Sequence, residues 1–303
     1  MCQSANAKPQ RERTFPLKSV HIPPIANGLS NFRPILPRSA SACYALLVRR
    51  WLLCLPVTLL TPFGALGSAP TAAEGAPSAS PIGSSSTQLL LVRSIAWWAS
   101  TGTLQRYERA SGGDWKAVGE PIPVDLGRSG MGWGRGLHQP LGRGGPVKRE
   151  GDRRSPAGVY RLDTAFGAAD SLPQDSHAYP YLQTRSTTYC VEDARSAHYN
   201  QLIDSTKVTP AAWEQWSEMA RPDGLFKWGV VVEQNSPQPQ KGAGSCVFLH
   251  IWRGPARPTA GCTAMAEQKL VEVLTWLAPN KKPLLVQLPD PVLKEARAAW
   301  GLP

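Results

Sequence analysis

Phe248-Leu249-His250-Ile251-Trp252, the loop 253–258 and Thr259-Ala260-Gly261-Cys262-Thr263-Ala264-Met265 form the stretch on which the reading of this chain turns. Residues 246–251 are an apolar run interrupted only by His250, the length and composition of a buried strand. Pro255, Pro258 and Gly261 then punctuate a loop and a sharp turn. Leu270, Val271, Leu274 and Leu277 recur at helical spacing before Pro279, so the spacing predicts a helix over 264–277. Strand, loop and helix start would bring His250 and Cys262 together across twelve residues of sequence.

Outward from that stretch the pattern stays strand-like. Residues 87–96, 102–109 and 114–124 read as strands on the N-terminal side, with 228–233, 246–251 and 283–288 further on. Residues 126–145 are glycine-rich and read as a long loop; their glycines form no phosphate-binding fingerprint. Besides 264–277, helices are expected at 209–220, opening on Thr209-Pro210, and at 291–300. Trp213, Trp216 and Met219 would pack the first of these into the core. With 29 Pro and 27 Gly, turns are frequent, which favours a mainly β (α+β) domain with a few short helices. No linker breaks residues 87–303, so they read as one domain.

The formal charge of +11 raises the question of nucleic acid, and its location answers it. Residues 1–69 carry +7 and the remainder only +4, without a Lys/Arg run on which a phosphate-tracking surface would depend. Nucleic acid is therefore not an expected partner. Within the basic leader, Val48-Arg49-Arg50-Trp51 precedes an apolar run to Leu60 and the small residues Gly64-Ala65-Leu66-Gly67-Ser68-Ala69. Charged start, short apolar core and small-residue exit make residues 48–69 a secretory signal peptide. The run is too short to span a bilayer and is broken by Pro56 and Pro62, so no membrane span is expected after cleavage. Residues 1–47 read as a disordered extension or a mis-assigned start, and 70–86, rich in Ala, Ser, Pro and Gly, as a linker.

Cys2, Cys43 and Cys54 lie in the leader, which leaves Cys190, Cys246 and Cys262 in an oxidising compartment. One disulfide plus one functional thiol is the economical reading; three buried thiols is the other. Cys190 and Cys246 have strand-like surroundings and are the expected bridge, whereas Cys262 sits in a turn. A helix N-terminus would lower the pKa of that thiol, and the N–H groups beside Gly261 would form an oxyanion hole. Among five His, His250 is the candidate base, although a histidine in an apolar strand also reads as a structural one. No CxxC or Cys/His cluster has metal-ligand spacing, and neither metal nor cofactor is expected.

The His250 strand and the Thr259-Ala260-Gly261-Cys262 turn resemble the active-site signature of the L,D-transpeptidase (YkuD-like) family, a His followed by Ser/Thr-x-Gly-Cys. A second block, Gly151-Asp152-Arg153-Arg154-Ser155-Pro156-Ala157-Gly158, is similar to that family's Gly-Asp-x-x-Thr-Pro-x-Gly segment. The resemblance implies a YkuD-like β-sandwich or barrel domain acting on peptidoglycan stem peptides in the periplasm. It implies Cys262 as nucleophile and His250 as base, with Thr259, Gly261 and Thr263 shaping the oxyanion and substrate site. Ala264 stands where most members carry an Arg, and Arg253 is the candidate replacement cation. A hydrolase on the same scaffold, either a carboxypeptidase or an amidase, is the alternative. So is a non-catalytic wall-binding module. Asp152 reads as a turn cap, and Asn235 and Ser245 lie near the site strands.

Overall fold

Continuous apolar runs, too long for a strand wet on one face, become strands covered on both. The computed structural model describes residues 80–141, 144–208 and 216–303. In chain order the strands are β1 (Gln88–Ser94), β2 (Thr101–Glu108), β3 (Lys116–Asp125), β4 (Met131–Trp133), β5 (Ser155–Arg161), β6 (Ala165–Gly167) and β7 (Tyr181–Gln183). They continue with β8 (Thr188–Val191), β9 (Leu202–Asp204), β10 (Trp216–Glu218), β11 (Gly229–Val231), β12 (Phe248–Ile251) and β13 (Thr263–Met265). Then come α1 (Glu267–Trp276), β14 (Leu284–Pro289) and α2 (Asp290–Trp300). The domain is mainly β, with two α-helices among the described residues.

Eleven strands form one mixed sheet in the order β4-β5-β14-β1-β2-β3-β13-β12-β11-β6-β7, and β10-β8-β9 form a small antiparallel sheet. The runs of highest apolar content, β1 and β14, pair in parallel inside it, Leu90 against Leu285 and Leu91 against Val286. Leu270, Val273 and Leu274 of α1 and Leu293, Ala296 and Trp300 of α2 join the same core. A second, smaller cluster gathers Phe166, Cys190, Met219, Leu225, Phe226, Cys246 and Phe248, with Cys262 against it. Residues 80–86 are packed on the domain: Ile82 enters the main core and Ser80 Oγ donates to the Trp300 carbonyl at 2.8 Å. Residues 1–47, the signal-like segment 48–69 and the rest of the linker lie outside the described residues.

Three expectations change. Residues 263–265 are not helical: they form β13, in parallel register with β12, and α1 begins only at Glu267. Ladder pairing with a buried neighbour outweighs a local helix pattern, because each backbone group must find a partner. Of the helix expected at 209–220, residues 209–215, with Trp213, lie outside the described residues, and Trp216–Glu218 is β10, paired with Tyr189–Val191. Trp216 is 45% exposed against Tyr189, whereas Met219 is fully buried. The glycine-rich stretch 126–145 contains a buried strand, β4, parallel to β5.

Candidate active site

The catalytic pair of the sequence reading meets at one cavity, each member placed by its own backbone. β12 lies between β11 and β13, and His250 stands in register with Gly229 on one side and Ala264 on the other. Paired positions share a face of a sheet, so two minimal neighbours leave room for the imidazole. A Cβ on Gly229 would come within 2.5 Å of the Phe166 ring and 2.9 Å of the Leu249 carbonyl oxygen, so the position admits only glycine. Phe226 lies edge-on to the imidazole, 5.2 Å between centroids. His250 Nδ1 donates to the Ile251 carbonyl at 2.7 Å, which leaves Nε2 as the lone-pair nitrogen with no partner among the described residues. Burial pushes the imidazole down to about 4, against a smaller upward pull from that hydrogen bond.

Cys262 closes a turn held by hydroxyls. Thr259 Oγ1 accepts from the Gly261 N–H at 3.0 Å and donates to the Cys262 carbonyl at 2.6 Å. Ser155 Oγ accepts from the Gly127 N–H at 2.9 Å and donates to the same carbonyl at 3.0 Å. The second sequence block thus reaches Cys262 through one hydroxyl. Gly261 has φ +149°, a conformation that L side chains rarely adopt. The Cys262 carbonyl is doubly held, while its N–H has no partner among the described residues. The thiol lies 3.6 Å from the Cys246 carbonyl. Cys246 is bonded to Cys190, the expected bridge, with Cα atoms 5.9 Å apart.

The electrostatics at the thiol differ from the sequence expectation. α1 does not open at Cys262, since β13 intervenes before it. Burial pushes the thiol up to about 12, and the charge of Glu192 adds to the rise. A Phe248 backbone hydrogen bond, Lys148 and Arg221 pull the other way. At neutral pH the resting pair is therefore thiol and neutral imidazole.

Both groups line a cavity of about 220 Å³. Arg221, Arg253, Arg257, Lys148, Glu150 and Glu192 supply its charged lining. Arg253 is exposed at the site, and Thr259 and Gly261 also line the cavity. Thr263 does not: it is fully buried and its hydroxyl donates to Gln287 Oε1 at 2.5 Å. Asp152 caps a turn, accepting from the N–H groups of Arg149 and Arg154 and pairing with Lys148 at 2.6 Å. Asn235 organises the 235–244 loop through Gln240 and Gly244, and Ser245 donates to Glu150 at 2.7 Å. Among the described residues no cluster of three His, Cys, Asp or Glu is placed to hold a metal.

Three residues at the site carry no sequence signal of their role. Arg221 pairs with Asp223 at 2.5 Å, lies over Phe226 and brings a guanidinium to the cavity that Ala264 also lines. Glu192 is half-buried beside the thiol. Ser155 lay in a quoted block, but nothing in the block told its hydroxyl from any other. The family model for the YkuD L,D-transpeptidase catalytic domain matches residues 95–287. No curated protein matches the chain.

Proposed function

Because the chain belongs to the YkuD family of L,D-transpeptidase catalytic domains, we propose that it is a secreted cysteine acyltransferase working on peptidoglycan stem peptides. Cys262 attacks the carbonyl of an L-centre joined to a D-residue. His250 Nε2 takes the thiol proton as the C–S bond forms, so no pre-formed thiolate is required. The unpartnered Cys262 N–H is the donor for the developing oxyanion; the Gly261 N–H is committed to Thr259. The imidazolium returns its proton to the leaving amine, which frees the D-residue and leaves a thioester. An amine of a second stem, or water, resolves it. Arg221, Arg253 and Arg257 suit the carboxylates of such a peptide.

The observation that carries this reading is the shared cavity of Cys262 and His250, with the imidazole tautomer set so that its free nitrogen is the accepting one. Purified protein incubated with sacculi, wild type beside Cys262→Ala, tests it. Cross-linked muropeptides from wild type alone are the expected result, whereas trimmed stems without cross-links would identify a hydrolase. Wall left identical by both proteins overturns the reading.

A further inference from the structure

The cavity contains two carboxylates that the acylation step does not use. Glu150 accepts from the hydroxyls of Tyr199 and Ser245, and Glu192 from Ser217 Oγ at 2.5 Å. These hydroxyls orient the carboxylates but supply no positive charge. Neither acid is in an ion pair among the described residues. Lys148, which lines the same cavity, is committed to Asp152 and to the Arg149 carbonyl. Burial holds Glu192 above the usual carboxylate range, and the neighbouring Glu150 pushes it further. Partly buried carboxylates without a counter-ion are unfavourable, and a cationic ligand relieves them. A second feature of the cavity also calls for a ligand. His250 is 8% exposed, lines the cavity and keeps Nε2 without a partner.

We infer that Glu150 and Glu192 form the subsite for a primary ammonium group, that of the acceptor which resolves the acyl-enzyme. The inference rests on the acyl-transfer reading above and deepens it, since it selects an amine over water. Glu150 and Glu192 line the same cavity as Cys262 and His250, and Glu192 is the acid whose charge is felt at the Cys262 sulfur. An ammonium bound by the pair is thus held in the cavity that Cys262 lines. One ammonium proton passes to a carboxylate, and the neutral amine attacks the thioester carbon. The C–N bond forms and the C–S bond breaks. His250 carries the second amine proton to the departing Cys262 sulfur, and the products are an amide and the free thiol.

The test uses purified full-length protein and a donor stem peptide whose own amines are acetylated, so that it cannot act as acceptor. Once the donor has acylated Cys262, a second stem peptide is added with its primary amine free, acetylated or trimethylated. Mass spectrometry gives the ratio of amide dimer to hydrolysed donor. That ratio is read from one acyl-enzyme and is independent of how fast the acyl-enzyme forms. Wild type should give dimer with the free amine. Glu192→Gln and Glu150→Gln should lower the ratio roughly ten- to hundredfold, the worth of a hydrogen bond to a charged group. In wild type the trimethylated peptide, which cannot attack, should suppress dimer formed from the free amine. An unchanged ratio in the double variant, with no suppression by the trimethylated peptide, overturns the inference and leaves the acyl-transfer reading standing. Absence of any adduct on wild-type Cys262 overturns both.

Discussion

Two histidines of this domain share the same burial and have different capacities. His250 is 8% exposed and His138 6%, and burial pushes both down to about 4. His250 donates through Nδ1 to the Ile251 carbonyl, which leaves Nε2 as a lone pair on a ring that lines the Cys262 cavity. His138 does the reverse: Nδ1 accepts from the Val159 N–H at 3.0 Å, so the neutral ring carries its proton on Nε2. That nitrogen is buried without a partner among the described residues, near the rings of Trp133, Tyr160 and Trp300. Burial and a depressed pKa do not distinguish a base from a core residue. The tautomer separates the two rings, and a backbone group one residue or a strand away decides the tautomer.

The largest test of this contrast is to remove each ring. His250→Gln should slow acylation of Cys262 by roughly 10²–10⁴-fold, the contribution of a positioned base. Intact-mass kinetics with an acylating peptide measures it. A rate within threefold of wild type would mean that His250 is the structural member of the pair.

An intermediate effect comes with acid. As the proposed base, His250 works unprotonated, so kcat/KM should hold as the pH falls through 6.5 and decline only near 4. Stability moves in the same direction. The folded-state pKa of each ring lies below its unfolded value, so the unfolded chain binds more protons, and stability present above pH 6.5 is lost as pH falls to 4. Each ring contributes on the order of 3 kcal/mol to that loss. Urea unfolding at pH 7 and pH 4.5 checks it, and equal midpoints would break the premise that both rings are neutral.

The smallest effect is at the other ring. His138→Leu leaves the buried Val159 N–H without its acceptor and should destabilise the fold by about 1–3 kcal/mol. The acylation rate per folded molecule should stay at the wild-type value. A large loss of rate at full stability would erase the distinction between the two histidines.

Much of this was legible along the chain, and the exceptions have one character. The strands expected at 87–96, 102–109 and 283–288 appear as β1, β2 and β14, and the helix at 291–300 as α2. Their apolar periodicity lies within each segment and survives burial. The Cys190–Cys246 bridge followed from which surroundings read as strand. The signal failed at 263–265 and 216–218, where a few residues were claimed by a ladder with a distant strand. It failed again for the thiol, because the helix start assumed to activate it lies beyond β13.

By itself the sequence determined the mainly β class and the order His250, Gly261, Cys262, because apolar runs and turn residues are local properties; it favoured the Cys190–Cys246 pair, which the fold then closed. Tertiary structure alone decided what surrounds Cys262. Ser155 reaches its carbonyl across 107 residues of chain, and Glu192 and Arg221 act on its sulfur from elements with no marking in sequence. Hydrogen bonds and Coulomb contacts act over a few ångströms of space whatever the separation along the chain, so the protonation state of Cys262 is a property of the fold.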